Sequence, residues 1–298
     1  MPAALTDYMS ADDFVRAISN FQVFLAARED LINELNVFPI PDSDTGTNSL
    51  VTLTGGLTQM NGETVPQLAQ SLATGCAKNA LGNSGVILAA YLTGLAEELA
   101  TQVDLATWQK AMRTAAARAE QAVLVPSQGT MLTIASAVAN QSESTFTEQL
   151  VTNSTAARIA LSKTTEMLPE LKLAGVVDSG AVVLTLFQDA FAKLVSDSNF
   201  GELLIENTEC KVKPNYSGPS HELMFNLKIG SASKEDFLQE LTKFGDSISI
   251  SQIAQDPSEN LDLRVHIHCD DPDQVVTNAK TFGPVTDLVL VKLNLKNR

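Results

Sequence analysis

Near residue 200 the hydrophobic pattern of this 298-residue chain changes period, and no other feature narrows the fold as far. Before that point apolar residues recur at helical spacing. Phe14, Ile18, Phe21, Leu25 and Ile32 share one face, and Asp12 and Asp13 sit where a helix dipole favours negative charge. Alanine-rich stretches such as VPQLAQSLATGCAKNAL, NSGVILAAYLTGLAEELA and LATWQKAMRTAAARAEQAV follow, and alanine favours helix and lets helices approach closely. The pattern predicts about eight helices. Beyond residue 200, SISISQIAQ and LDLRVHIHCD alternate as half-buried strands do. HELMFNLKI and DLVLVKLNL read as two more strands, and SKEDFLQELTKFG and DPDQVVTNAKTFG as helices stopped by glycine. The chain thus reads as an all-α domain over residues 1–200 and a small α+β domain over 201–298, with the boundary in the polar, proline-containing stretch 196–216.

Apolar residues, at 44%, suffice for a buried core, and the net charge of −15 argues against nucleic acid or anionic membrane as a partner, because both need clustered Lys and Arg. An acidic chain that binds phosphate must do so locally, through backbone amides or a cation. Cys76, Cys210 and Cys269, odd in number and widely spaced, do not suggest a disulfide framework. The N-terminus lacks the basic region and apolar core of a leader, and no stretch reaches about 18 uninterrupted apolar residues. A cytoplasmic protein without an integral membrane segment is expected.

Four joints in the helical half share one style, small polar residues opening an apolar helix: PDSDTGTNS (41–49), LGNSG (81–85), PSQGT (126–130) and VVDSG (176–180). Helix N-termini carry unsatisfied amides and a partial positive charge of ~0.5 e, which suits phosphate. The same residue types are also ordinary N-caps. The first joint is sharper. Asp42 and Asp44, two apart in an extended segment, point to one side with Cα atoms ~7 Å apart. Two carboxylates so placed repel unless a cation joins them, and magnesium commonly takes one or two carboxylates plus substrate phosphates. Thr45, Thr47 and Asn48 follow at the helix mouth, within reach of a phosphate. An EF-hand reading fails, since counting from Asp42 puts Gly46, Thr47 and Leu53 where an oxygen ligand, glycine and glutamate are needed. The glycine-rich phosphate loops of P-loop and Rossmann proteins are absent.

All three histidines, His221, His266 and His268, fall in the last third. In a strand His266 and His268 share a face while Val265, Ile267 and Cys269 share the other. The pair is either half of a zinc site, a general acid–base or phosphate-binding group, or two residues on a solvated face. His221, opening the neighbouring strand, is a candidate to complete the set.

LNVFPIPDSDTGTN, GNSGVIL, GTMLTI and GVVDSG resemble, in order and spacing, the nucleotide-binding domain of the dihydroxyacetone kinase family, and most closely the bacterial fatty acid kinase catalytic subunits. The second half resembles the middle domain of those subunits, with its V-H-V-H-T-N-D-P-like segment. The resemblance implies a helical barrel of about eight helices holding ATP and Mg2+ at one end. Asp42 and Asp44 match magnesium ligands, with Asn36 and Thr47 beside them. Asn83, Ser84, Gly85, Gly129 and Thr130 match the nucleotide pocket, joined by Asp178 of the fourth motif. His266 and His268 match a cluster that works near the phosphates and is a candidate zinc site, with His221 in place of a cysteine. A fatty-acid-binding carrier protein and a homodimer are the implied partners. The sequence departs from the pattern at Ser43 (usually Gly), Leu81 (Arg), Gln128 (Glu) and Ala181 (Gly), and it ends with the middle domain, without the C-terminal domain associated with the carrier.

The leading expectation is a kinase subunit that makes an acyl phosphate from a carrier-bound fatty acid. A nucleotide-binding regulator is the second reading, marked by ATP binding without turnover. A small-polyol kinase is the third, marked by turnover of dihydroxyacetone without a carrier.

Overall fold

The computed structural model describes residues 7–196, 200, 210 and 217–293. Of the expected boundary stretch 196–216, all but residues 196, 200 and 210 lies outside the described residues. The helical half runs α1 (Ala11–Ala26), α2 (Glu29–Glu34), α3 (Thr45–Gln59), α4 (Val65–Lys78), α5 (Gly82–Glu98), α6 (Leu105–Gln121), α7 (Met131–Ala139), α8 (Phe146–Thr164), α9 (Pro169–Ala174) and α10 (Ser179–Ala192). A two-residue pairing of β1 (Tyr8–Met9) with β2 (Val103–Asp104) ties its start to the segment before α6.

Local chemistry sets these boundaries. Ser10 and Asp13 form a reciprocal capping box on α1, and Thr64 and Gln67 form one on α4 with Pro66 in its first turn. Gly175, left-handed at φ 71°, stops α9. Eight helices pack in succession, α1 on α3, α3 on α4, and so through α5, α6, α7 and α8 to α10, which returns to α1 and closes the ring. This is the expected helical barrel. The extra helices, α2 and α9, span six residues each, too few for a periodic pattern to announce them. All 14 residues of α10 are buried. Its Phe187 and Phe191 stack with Phe21, Tyr91 and Trp108 at centroid distances of 4.7–5.6 Å. Each such ring contributes about 1.5–3 kcal/mol by burial.

The second half contains β3 (His221–Gly230), a 3-10 turn, α11 (Lys234–Leu241), β4 (Gly245–Gln255), β5 (Asn260–Cys269), α12 (Pro272–Ala279) and β6 (Val285–Lys292). The strands form one antiparallel sheet ordered β4-β5-β3-β6. On one face Leu223, Phe225, Leu263, Val265 and Ile267 pack under Phe237, Leu241 and Val275 of α11 and α12. On the other, Glu222, Met224, Arg264 and His266 are buried, and β4 and β5 lie against the barrel helix α5. The loop after α6 adds to the outer edge of β4, with Ile250 N–H donating to Ala122 O at 2.7 Å and Leu124 N–H to Ile248 O at 3.2 Å. The histidine face of the sheet is therefore no solvated surface; it closes over one end of the barrel.

Candidate functional site

All four polar joints open onto one cavity of ≈ 430 Å3 between barrel and sheet. Asp42, Asp44, Thr45 and Asn48 line it from the first joint, Gly82, Asn83 and Ser84 from the second, Ser127 and Thr130 from the third, and Asp178, Ser179 and Gly180 from the fourth. The sheet contributes Glu222, Asp246, His266 and His268. An apolar wall of Phe38, Ile40, Leu124, Leu132 and Ile248 completes it. A largely apolar concavity with a few convergent polar groups is the usual form of a small-molecule site.

The aspartate loop is held by Asn36 and Asn33. Asn36, itself buried, donates to Ile40 O at 3.0 Å and accepts from Asp44 N–H at 3.1 Å. Its amide thus shapes the loop while also lining the cavity. Ser43 sits at φ 62°, a left-handed conformation that explains why glycine is usual there. Asn33 Oδ1 accepts the N–H groups of Gly46 and Thr47, so these α3 amides, expected to face a phosphate, are already occupied. Thr47 also departs from expectation. Its hydroxyl donates to Glu29 Oε1 at 2.7 Å and accepts from Asn33 at 3.0 Å, so it faces α2 and does not line the cavity. Two residues earlier on the helix, Thr45 bonds Ser179 Oγ at 3.1 Å and does line it.

Burial, then the charge of Asp44, then that of Glu222, pushes the Asp42 carboxyl up to about 8. Burial and Glu222 also raise Asp44, partly offset by a hydrogen bond from Asn48 and by His266. Two half-buried carboxylates that resist ionising together suit a divalent cation, which would let both ionise. The residues present fit magnesium.

His266 and His268 stand on the expected face, with ring centroids 4.8 Å apart. His221 does not join them. In the β3–β5 register it lies opposite Cys269, on the far side of the sheet, where its Nδ1 meets Ser220 Oγ at 3.0 Å. Its neighbour Glu222 lies opposite His268 and takes the third place. Candidate ligand atoms of Glu222, His266 and His268 lie within 4.8 Å of one another. His266 Nδ1 faces Ser247 O at 2.9 Å and Nε2 faces Glu222 Oε1 at 3.1 Å. Burial raises the Glu222 pKa, but the hydrogen bond and charge of His266 and the charge of His268 outweigh it and leave the carboxyl lowered. His268 is pushed down to about 3 by burial and by His266. Its Nδ1 is 3.8 Å from Asp246 Oδ1 and has no hydrogen-bond partner among the described residues. An orphaned imidazole nitrogen beside a His–carboxylate pair has the donor chemistry of a zinc site. Nothing in the sequence marked Glu222, because the start of a strand does not show which of two neighbours faces inward.

The remaining expected residues divide. Asn83 and Ser84 occupy the second and third positions of α5, where N–H groups have no intrahelical partner, and Asn83 Oδ1 is buried without a partner among the described residues. Thr130 caps α7 and lines the cavity. Asp178 lines it too, but its Oδ1 accepts Ala181 N–H at 2.6 Å as the cap of α10, and burial pushes its carboxyl up to about 7. Gly85 and Gly129 do not line the cavity. Gly85 lets α5 approach Thr52, whose Oγ1 would lie 2.3 Å from an added Cβ, and Gly129 takes φ 89° in the turn before α7.

Residues 39–193, more than half of the chain, match the DAK2 domain family. The chain belongs to the DAK2 domain family. That match covers the barrel from the aspartate loop to the end of α10, and residues 218–298 match a second family, the FakA-like middle domain of fatty acid kinase. Among curated proteins, Protein YloV of Bacillus subtilis is 28% identical over 301 residues, covering 92% of this chain and 52% of YloV. An uncharacterized protein of Staphylococcus haemolyticus is 28% identical over 327 residues, covering all of this chain and 56% of its own length. The DAK2-domain chain thus spans about half the length of the curated relatives it matches. Among its described residues, no helix is long and apolar enough to cross a membrane.

Proposed function

We propose that the chain is an ATP-dependent phosphotransferase subunit, fatty acid kinase-like, that phosphorylates the carboxylate of a fatty acid presented by a separate carrier protein and so makes an acyl phosphate. The observation that carries the reading is the shared cavity: barrel carboxylates suited to magnesium and a sheet-borne Glu222–His266–His268 cluster face the same space. Asp42 and Asp44 would hold magnesium, which supplies neutralisation of charge on the phosphates during transfer. The N–H groups of Asn83 and Ser84, with Thr45 and Thr130 across from them, bind and orient the phosphates. The apolar wall excludes water from the transferred group. Glu222, His266 and His268 would hold zinc, which supplies Lewis-acid character, and the acceptor would enter at the sheet side of the cavity.

Calorimetric titration of the metal-stripped chain with ATP, with and without Mg2+, tests this. Mg2+-dependent binding that disappears in Asp42→Ala is expected. Equal binding without Mg2+, or full binding by the variant, would overturn the assignment. Formation of acyl phosphate only when a fatty-acid carrier is supplied is expected to follow. ATP binding without transfer to any carrier would favour a regulator.

A further inference from the structure

Arg264 lies two residues before His266 on the same face of β5 and is 4% exposed. Its guanidinium meets neutral oxygens on three other segments. Nε donates to Ala80 O at 3.1 Å, and Nη1 donates to Asn226 Oδ1 of β3 at 3.1 Å and to the main-chain oxygen of Asp287 in β6 at 3.0 Å. Removing a guanidinium from water is costly; its direct acceptors are neutral, and the Asp287 carboxylate, held by Asn226 Nδ2 at 2.7 Å, offsets part of the cost through its charge. The placement of Arg264 suggests a further role.

Ala80 immediately precedes the joint that opens α5. The sheet grips this joint twice, through Arg264 on Ala80 O and through Met224, whose Sδ accepts Gly82 N–H at 3.2 Å. From the opposite side α3 grips it. Leu81 N–H donates to Thr52 Oγ1 at 3.1 Å, and Gly82, at φ 63°, lies so close to Asn48 that an added Cβ would sit 2.2 Å from its Nδ2. Asn48 N–H in turn donates to the main-chain oxygen of Asp44 at 2.8 Å. A continuous chain of contacts therefore runs from Asp44 through Asn48 and Gly82 to Met224 on β3, two residues from Glu222.

We propose that Arg264 is a positioning residue: through the Ala80 carbonyl it fixes the spacing between the barrel aspartates with the α5 N-terminus on one side and the Glu222–His266–His268 cluster on the other. This rests on the reading that both groups act on one nucleotide complex. The planar fork of arginine reaches acceptors in several directions at once, whereas a lysine ammonium on a single stem does not.

The test uses the full chain, Arg264→Gln and Arg264→Lys. Hydrogen exchange read residue by residue is expected to speed up roughly tenfold or more at Leu81 and Gly82 in Arg264→Gln, with α10 amides unchanged and Arg264→Lys only partly restored. In a second arm Mn2+ is added as the probe of the aspartates. It broadens the imidazole signals of His266 and His268 in the wild type, and in Arg264→Gln it binds equally well but broadens them less. Wild-type exchange at 81–82 together with undiminished broadening overturns the proposal. If Mn2+ leaves the wild-type histidines sharp, the shared-site reading fails, and the exchange arm still decides the role of Arg264. Should Arg264→Gln not fold, Asn226→Ala removes one of its acceptors, and the same amides are expected to exchange faster; no change there overturns the proposal.

Discussion

At the scale of single residues, Asp42 is the most informative. Its folded pKa of about 8 lies above the ordinary 3.8, so between these values the folded chain keeps a proton that the unfolded chain has lost. Stability therefore falls as pH rises through that window. His268, pushed from 6.5 down to about 3, acts oppositely: the unfolded chain binds the extra proton, so stability rises between those values and is flat above about 6.5. Asp178 adds to the fall only up to about 7. In metal-free buffer the melting temperature is thus expected to drop from about pH 7 to about pH 8. Asp42→Asn should flatten that drop, and so should Mg2+, which binds the ionised pair. An unchanged slope in the variant would contradict the burial argued for Asp42. A second prediction concerns the sheet. Glu222→Gln should weaken binding of Co2+, a spectroscopic stand-in for zinc, by about tenfold or more, whereas His221→Ala should leave it unchanged. The reverse pattern would restore His221 to the cluster. Period-two alternation made the shared face of His266 and His268 legible from sequence. It left His221 and Glu222 undecided, because a one-residue shift in register exchanges the faces and nothing local sets the register.

At the scale of elements, the α5 N-terminus depends on a glycine for two separate reasons. Gly82 has a left-handed φ of 63°, and Asn48 leaves no room for a Cβ. Gly82→Ala is expected to cost about 1–3 kcal/mol in urea denaturation, and to weaken ATP binding because Asn83 and Ser84 are carried on the same turn. A loss within error would mean that the joint is more pliant than its contacts imply. Long helices were legible here because caps and apolar spacing agreed, as at Ser10 and Asp13 of α1. The role of Thr47 was not. Three residues after Asp44 it looked like part of the phosphate-binding mouth, yet the turn of the helix directs it to Glu29 and Asn33. Those two partners precede it by more than a dozen residues and carry no motif.

At the scale of the whole molecule, barrel and sheet each line part of a single cavity. Aspartates on a barrel loop and imidazoles on a sheet strand, more than 200 residues apart in sequence, line one cavity. The change of hydrophobic period announced a helical half followed by a sheet-bearing one. It carried no information about how the two halves meet, which depends on Arg264, Met224 and the Ala122–Leu124 edge. The three histidines allow the shared site to be tested directly, since each imidazole can be followed by nuclear magnetic resonance during titration with Mg2+ and a non-hydrolysable ATP analogue. The signals of His266 and His268 should shift on binding, and that of His221, across the sheet, should not. Saturated nucleotide binding that leaves His266 and His268 unmoved would contradict the shared site.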